Sequence, residues 1–102
     1  MGADFTKAGS DKGDFEKQLK HHLISANITY QSYIHSMEDL TEEELKADLE
    51  EYLDKINIEI VPLIKLAESL GEQKFIDKAY ENKHVYNKLV DTIKEQIEVL
   101  NK

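Results

Sequence analysis

One pair of residues has the spacing of a helical metal site. Glu81-x-x-His84 sets a carboxylate and an imidazole three positions apart, so both project from one face of a helix, as in di-iron bundles. Counting back from the turns, His22 and Glu59 fall near the same level, and His22, Glu59, Glu81 and His84 form a candidate metal set. The chain holds no second Glu-x-x-His pair, and Lys83, read as core-facing, would repel a cation. The second chemistry open to these residues is histidine phosphotransfer, with His21, His22, His35 and His84 as candidates. None lies in the His-x-x-Lys-Gly pattern of phosphotransfer bundles. His84 has Lys88 one position too far along and lacks the glycine.

Nucleophilic catalysis finds no support. Ser10, Ser25, Ser32, Ser36 and Ser69 lie in no G-x-S-x-G turn. Gly2, Gly9, Gly13 and Gly71 are isolated and form no phosphate-cradling loop. No cofactor is implied. All basic charge is lysine, without a single arginine fork for carboxylate or phosphate. A net charge of −8 argues against nucleic acid and against anionic membrane surfaces. No apolar run is long enough to span a bilayer. The chain has no cysteine, which suits a reducing compartment, and a cytoplasmic location is the expectation.

Charge is the most informative chemical feature. Residues 1–37 carry four acids and four lysines, and residues 55–102 carry eight of each. The whole excess therefore lies in 38–54, where nine acids face the single Lys46. Helix-dipole stabilisation accounts for Glu42, Glu43 and Glu44 at the start of a helix. It accounts less well for Glu38, Asp39, Glu50, Glu51 and Asp54, which no lysines accompany, and Glu50 repels Asp54 modestly at i,i+4 spacing. An uncompensated surface of Glu38, Asp39, Glu43, Asp48, Glu50, Glu51 and Asp54 fits docking to a basic protein partner. The competing reading is a solvated helix face. Calcium is disfavoured, because these acids lie in no glycine-turned EF-hand loop.

These side chains need helices to hold them. Three segments carry a helical period. The first runs from Asp14, a candidate N-cap, to Met37, with the stripe Leu19, Leu23, Ala26, Tyr30, Tyr33, Met37, Leu40. The second opens with a Thr41-x-x-Glu44 capping box and a Leu40/Leu45 staple. Its stripe is Leu45, Leu49, Leu53, Ile56, Ile60, Leu63, Ala67, Leu70, and Gly71 stops it, although Ser69 with Glu72 offers a rival boundary. The third runs from Glu72 to Leu100, with the stripe Ile76, Ala79, Lys83, Tyr86, Val90, Ile93, Ile97, Leu100.

Residues 56–62 alternate like a strand and end in Pro62, which lacks a helical N–H. The stripe continues through them in register, so a kinked second helix is preferred to a break that would give four helices.

Short turns make successive helices antiparallel. The expectation is an all-α antiparallel bundle over residues 14–102, preceded by a flexible tail over 1–13. Tyr33, Leu49 and Ile93 are expected at one level, Ala26, Ile56 and Tyr86 at the next, and Leu23, Ile60 and Lys83 at a third. Tyr30, Tyr33, Tyr52 and Tyr86 sit on or beside the stripes, where packing of the ring with the hydroxyl at the edge is favoured over an aromatic hot spot. A helical bundle without a cofactor motif reads as a non-enzymatic interaction or regulatory module. Broad apolar faces leave room for self-association. Histidine phosphotransfer or metal binding is the alternative.

Overall fold

A computed structural model describes the backbone from Gly2 to Lys102 and the side chains from Lys12 onward. The chain is an all-α bundle of long helices, with extents of 62 × 20 × 18 Å. Helix α1 spans Gly2–Ser36, α2 Glu42–Lys55, α3 Val61–Leu70 and α4 Gln73–Leu100. A 3-10 turn, Met37–Asp39, follows α1, and a π-turn, Ile56–Ile60, fuses α2 to α3. Among the described residues there is no strand.

Helix α1 passes through Gly13 and Asp14 rather than beginning there, so Asp14 is an interior residue and not a cap. An interior glycine weakens a helix by about 1 kcal/mol without breaking it. Lys12 is tied across the bundle, with its Nζ 2.9 Å from Glu72 Oε1. The tail expected over 1–13 falls, through residue 11, outside the described side chains.

The start of α2 is set by local chemistry. The backbone N–H of Glu44 donates to Thr41 Oγ1 at 3.1 Å, and the N–H of Thr41 donates to Glu44 Oε1 at 3.0 Å. Each bond satisfies a donor that the first helical turn would otherwise leave orphaned. The end of α3 is equally local. Gly71 adopts φ 72°, a left-handed conformation that only glycine takes without strain, and its N–H donates to the carbonyls of Ala67 and Glu68. Ser69 caps nothing; its Oγ donates back to Leu66 O at 2.7 Å, and Glu72 is the residue before α4.

Pro62 does not separate α2 from α3, which run on from one another through the π-turn. A proline ring collides with the carbonyl four residues back, here that of Ile58, and offers that carbonyl no N–H. Here the chain takes a wider π-turn: the Val61 N–H reaches back five residues to Ile56 O, and φ and ψ are helical at Lys55, Ile56, Ile60 and Val61. The strand-like alternation resolves into two faces of this turn. Ile56 and Ile60 are buried, and Ile58 is 70% exposed.

Helix α4 is the spine, packing against α1, α2 and α3. Its buried residues are Phe75, Ala79, Asn82, Tyr86, Leu89, Val90 and Ile93. They meet Phe15, Leu19 and Ala26 of α1, Leu45 of α2, and the row from Ile56 to Ala67. Phe15 and Phe75 stack edge to face at 5.4 Å and close the α3–α4 end.

The levels through Ala26, Ile56 and Tyr86, and through Tyr33, Leu49 and Ile93, lie in this core or against it. The third level differs from expectation. Asn82, not Lys83, is fully buried, and Lys83 lies half-buried on the flank. Leu53 also departs from its stripe: it is exposed, and Tyr52 packs against the core instead.

Candidate functional site

Helices α1 and α2 approach each other mainly through side chains. The Tyr33 hydroxyl donates to Asp48 Oδ2 at 2.7 Å, and the Tyr33 and Tyr52 rings meet edge to face at 5.8 Å. Beyond this bridge the two helices leave a cleft of about 420 Å³. Thr29 of α1 forms one wall, and Glu51, Tyr52, Asp54 and Lys55 of α2 the other. Ile58 and Glu59 of the π-turn line one end, and Tyr86 of α4 contributes from the core side. The cleft lies at the place where the helix is widened around Pro62. Ile58, which the π-turn turns outward, supplies an apolar lip.

The floor is aromatic. Tyr52 and Tyr86 lie 6.2 Å apart with a 31° interplanar angle, continuing the contact from Tyr33. The rim is anionic. Glu51, Asp54 and Glu59 oppose a single cation, Lys55, whose Nζ sits 3.5 Å from Glu59 Oε2 and 5.9 Å from the Tyr86 ring centroid. Burial, and then the neighbouring Glu51 and Asp48 carboxylates, push the Tyr52 hydroxyl above the usual tyrosine range. Burial raises Tyr86 as well, against an opposing pull from Lys55. Burial and the bond to Asp48 raise Tyr33 further still. All three hydroxyls therefore remain protonated donors at neutral pH.

The seven acids picked out by charge divide into three groups. Glu51 and Asp54 line the cleft, and Glu50 is exposed on the same helix. Asp48 is half-buried and occupied by Tyr33. Glu38 and Asp39 in the 3-10 turn, with Glu43 in the first turn of α2, are exposed at the end of the bundle. Apart from Asp48, none of the seven has an ion-pair or hydrogen-bonded side-chain partner among the described residues.

The candidate metal set is not assembled. Among the described residues no three His, Asp or Glu side chains converge as a metal ion requires. The reason is the phase of α4. With Asn82 inward, Glu81 and His84 are rotated by about 100° and 200° from the core direction and emerge exposed. His22 is half-buried on α1, and Glu59 belongs to the cleft with Lys55. His21 and His35 are exposed, on α1.

Sequence reasoning did not find the cleft. Thr29, Lys55 and Ile58 carry no signal of a site in the sequence, and Glu59 lines the cleft beside Lys55. The available clue was Pro62 inside an unbroken apolar stripe, since π-turns accumulate at functional sites. Among the described residues no helix is long and apolar enough to cross a membrane. Compared with protein-family models, with curated proteins and with solved structures, the chain matches none.

Proposed function

We propose that this chain is a non-enzymatic interaction module of the cytoplasm that docks a basic segment of a partner protein on α2, with one cationic side chain entering the cleft. The observation that carries the reading is the uncompensated rim of Glu51 and Asp54 above the faces of Tyr52 and Tyr86. Lysine and arginine combine an apolar stem with a charged head. Ile58 and the tyrosine rings suit the stem, and the carboxylates suit the head. Lys55, held over Tyr86 beside Glu59, shows the same combination within the chain.

The test uses a labelled lysine-rich peptide, with binding followed by fluorescence anisotropy at low and high salt. Wild type is expected to bind at low salt and weaken as salt rises. The variant Glu50→Lys, Glu51→Lys, Asp54→Lys is expected to lose about tenfold or more in affinity at unchanged helicity. A variant of equal charge change on α4 (Glu81→Lys, Glu95→Lys, Glu98→Lys) should keep most of it. Equal losses in the two variants would mean that net charge alone is read, and the docking site would be wrong. Unchanged binding by the α2 variant would overturn it too.

A further inference from the structure

Helix α1 carries two seams. The inner one, through Leu19, Ala26 and Tyr33, faces the core. Rotated from it by about 200°, at steps of four and three residues, runs a second line: Lys17, His21, Ile24, Ile28, Gln31, His35 and, in the 3-10 turn, Glu38. All seven residues are exposed. Ile24 is 59% and Ile28 60% exposed. The steps of this line are those of a coiled-coil seam.

Charge distinguishes the line from an ordinary wet helix face. The seventeen residues from His21 to Met37 include no Asp, Glu, Lys or Arg, the longest such run in a chain that is 33% charged. Two copies of net charge −8 repel each other over most of their surfaces, and this is where they can approach without like charges meeting. The ends of the line carry opposite signs, Lys17 at one and Glu38 at the other. Counted from the fourth, Ile28, the positions fall 4, 7 and 11 residues before it and 3, 7 and 10 after it, so they mirror one another to within one residue. Reversing the line on itself sets Ile28 against Ile28, Ile24 against Gln31, His21 against His35 and Lys17 against Glu38. A parallel copy would instead set lysine against lysine and glutamate against glutamate.

We propose that a second copy of this chain docks antiparallel on the outer face of α1, with Ile28 on the two-fold axis and a Lys17–Glu38 pair closing each end. The interface spans about 32 Å of helix. It is narrow, with two isoleucines per copy at its centre, so the dimer is weak and depends on concentration. The face is separate from the acidic cleft and does not rest on peptide binding there.

Sedimentation equilibrium over a range of concentrations tests the proposal. Wild type is expected to pass from monomer to dimer, and Ile28→Lys to remain monomeric with the same helicity, since Ile28 supports nothing in the core. Lys17→Glu sets two like-charged pairs in the dimer and should weaken it about tenfold. Adding Glu38→Lys to that variant should restore most of the loss. Orientation is read by disulfide capture, which is clean because the chain has no cysteine of its own. A mixture of Lys17→Cys and Glu38→Cys proteins should cross-link to each other in preference to themselves. A wild type that stays monomeric at the highest concentration overturns the proposal. So does an Ile28→Lys variant that dimerises as before, a charge swap that restores nothing, or cross-linking of like with like.

Discussion

Asn82 is the one fully buried polar side chain described in the core, and replacing it by leucine should stabilise the fold. Its Nδ2 donates to Lys78 O at 3.0 Å on its own helix and, at a long 3.4 Å, to Leu19 O on α1. Its Oδ1 is buried without a partner among the described residues. An unsatisfied buried acceptor costs about 1–3 kcal/mol. The two donated bonds return little, because both carbonyls belong to helix interiors whose own N–H groups already reach them. Leucine branches at the same carbon as asparagine and needs no partners. Its full burial is worth about 2 kcal/mol, part of which the larger methyl groups consume in strain. The expected outcome for Asn82→Leu is a gain of about 2 kcal/mol, or about 10 °C in Tm for a domain of this size. Urea melts followed by far-UV circular dichroism measure it, with Asn82→Ala as a control that removes the amide without adding bulk. If Asn82→Leu is less stable than wild type while Asn82→Ala is not, overpacking explains the result. If both lose more than about 1 kcal/mol, the amide is a net stabiliser and the reasoning fails.

Three further outcomes follow from the caps and the tyrosines. Thr41→Ala should cost about 1 kcal/mol at neutral pH by urea melt, and an unchanged midpoint would mean that the capping box contributes nothing. The backbone N–H of Thr41, and then its hydroxyl, hold the Glu44 carboxyl below the usual range. Its folded pKa is depressed, so the stability it lends is present above the unfolded carboxylate pKa and is lost as pH falls through the folded one. Lys74 acts likewise on Glu16. Glu44→Gln should therefore flatten part of the acid loss, and an identical acid profile would count against it. Tyr33, Tyr52 and Tyr86 have the opposite sign. Their folded pKa values are raised, chiefly by burial, so the stability they contribute is present below about pH 10 and is lost as pH rises through the folded values. Tyrosinate absorbance of these three should appear at higher pH than that of free tyrosine. A folded protein in which all five tyrosines ionise together at the ordinary pKa would refute the burial assigned to them.

The caps were legible in the sequence because their chemistry is local. Thr41 and Glu44 need only each other, and Gly71 needs only its own backbone. The packed faces were legible where they are purely apolar, as at Tyr86, Val90 and Ile93. They were misread where the period admits two neighbouring residues. Asn82 stands three residues after Ala79 and four before Tyr86, and Lys83 stands four after and three before, so the period alone admits either, and the stripe drawn through Lys83 is one residue out of phase with the buried face. Leu53 is ambiguous in the same way: between Leu49 and Ile56 the helical period fits residue 53 or residue 52 equally well, and the ring of Tyr52 is the side chain that packs against the core. The acidic excess was visible as a count. Which acids share a cleft was not, because that depends on how far α1 stands from α2, a distance set by α4 and by the bridge from Tyr33 to Asp48 and Tyr52.

The π-turn also decides where this chain can change length. A π-turn holds about one residue more than an α-helical turn. Removing a residue between Ile56 and Ile60 would let α2 and α3 join as one regular helix and rotate one against the other by about 100°. Leu45 and Leu49 on one side, or Leu63 and Ala67 on the other, would then leave the core, and the cleft would lose the outward turn that presents Ile58. The connection at Gly71 and Glu72 has no such phase to keep, since an extra residue there lengthens a loop without rotating either helix. Homologous chains of this fold should therefore differ in length at the turns and keep a fixed count of residues from Thr41 to Gly71.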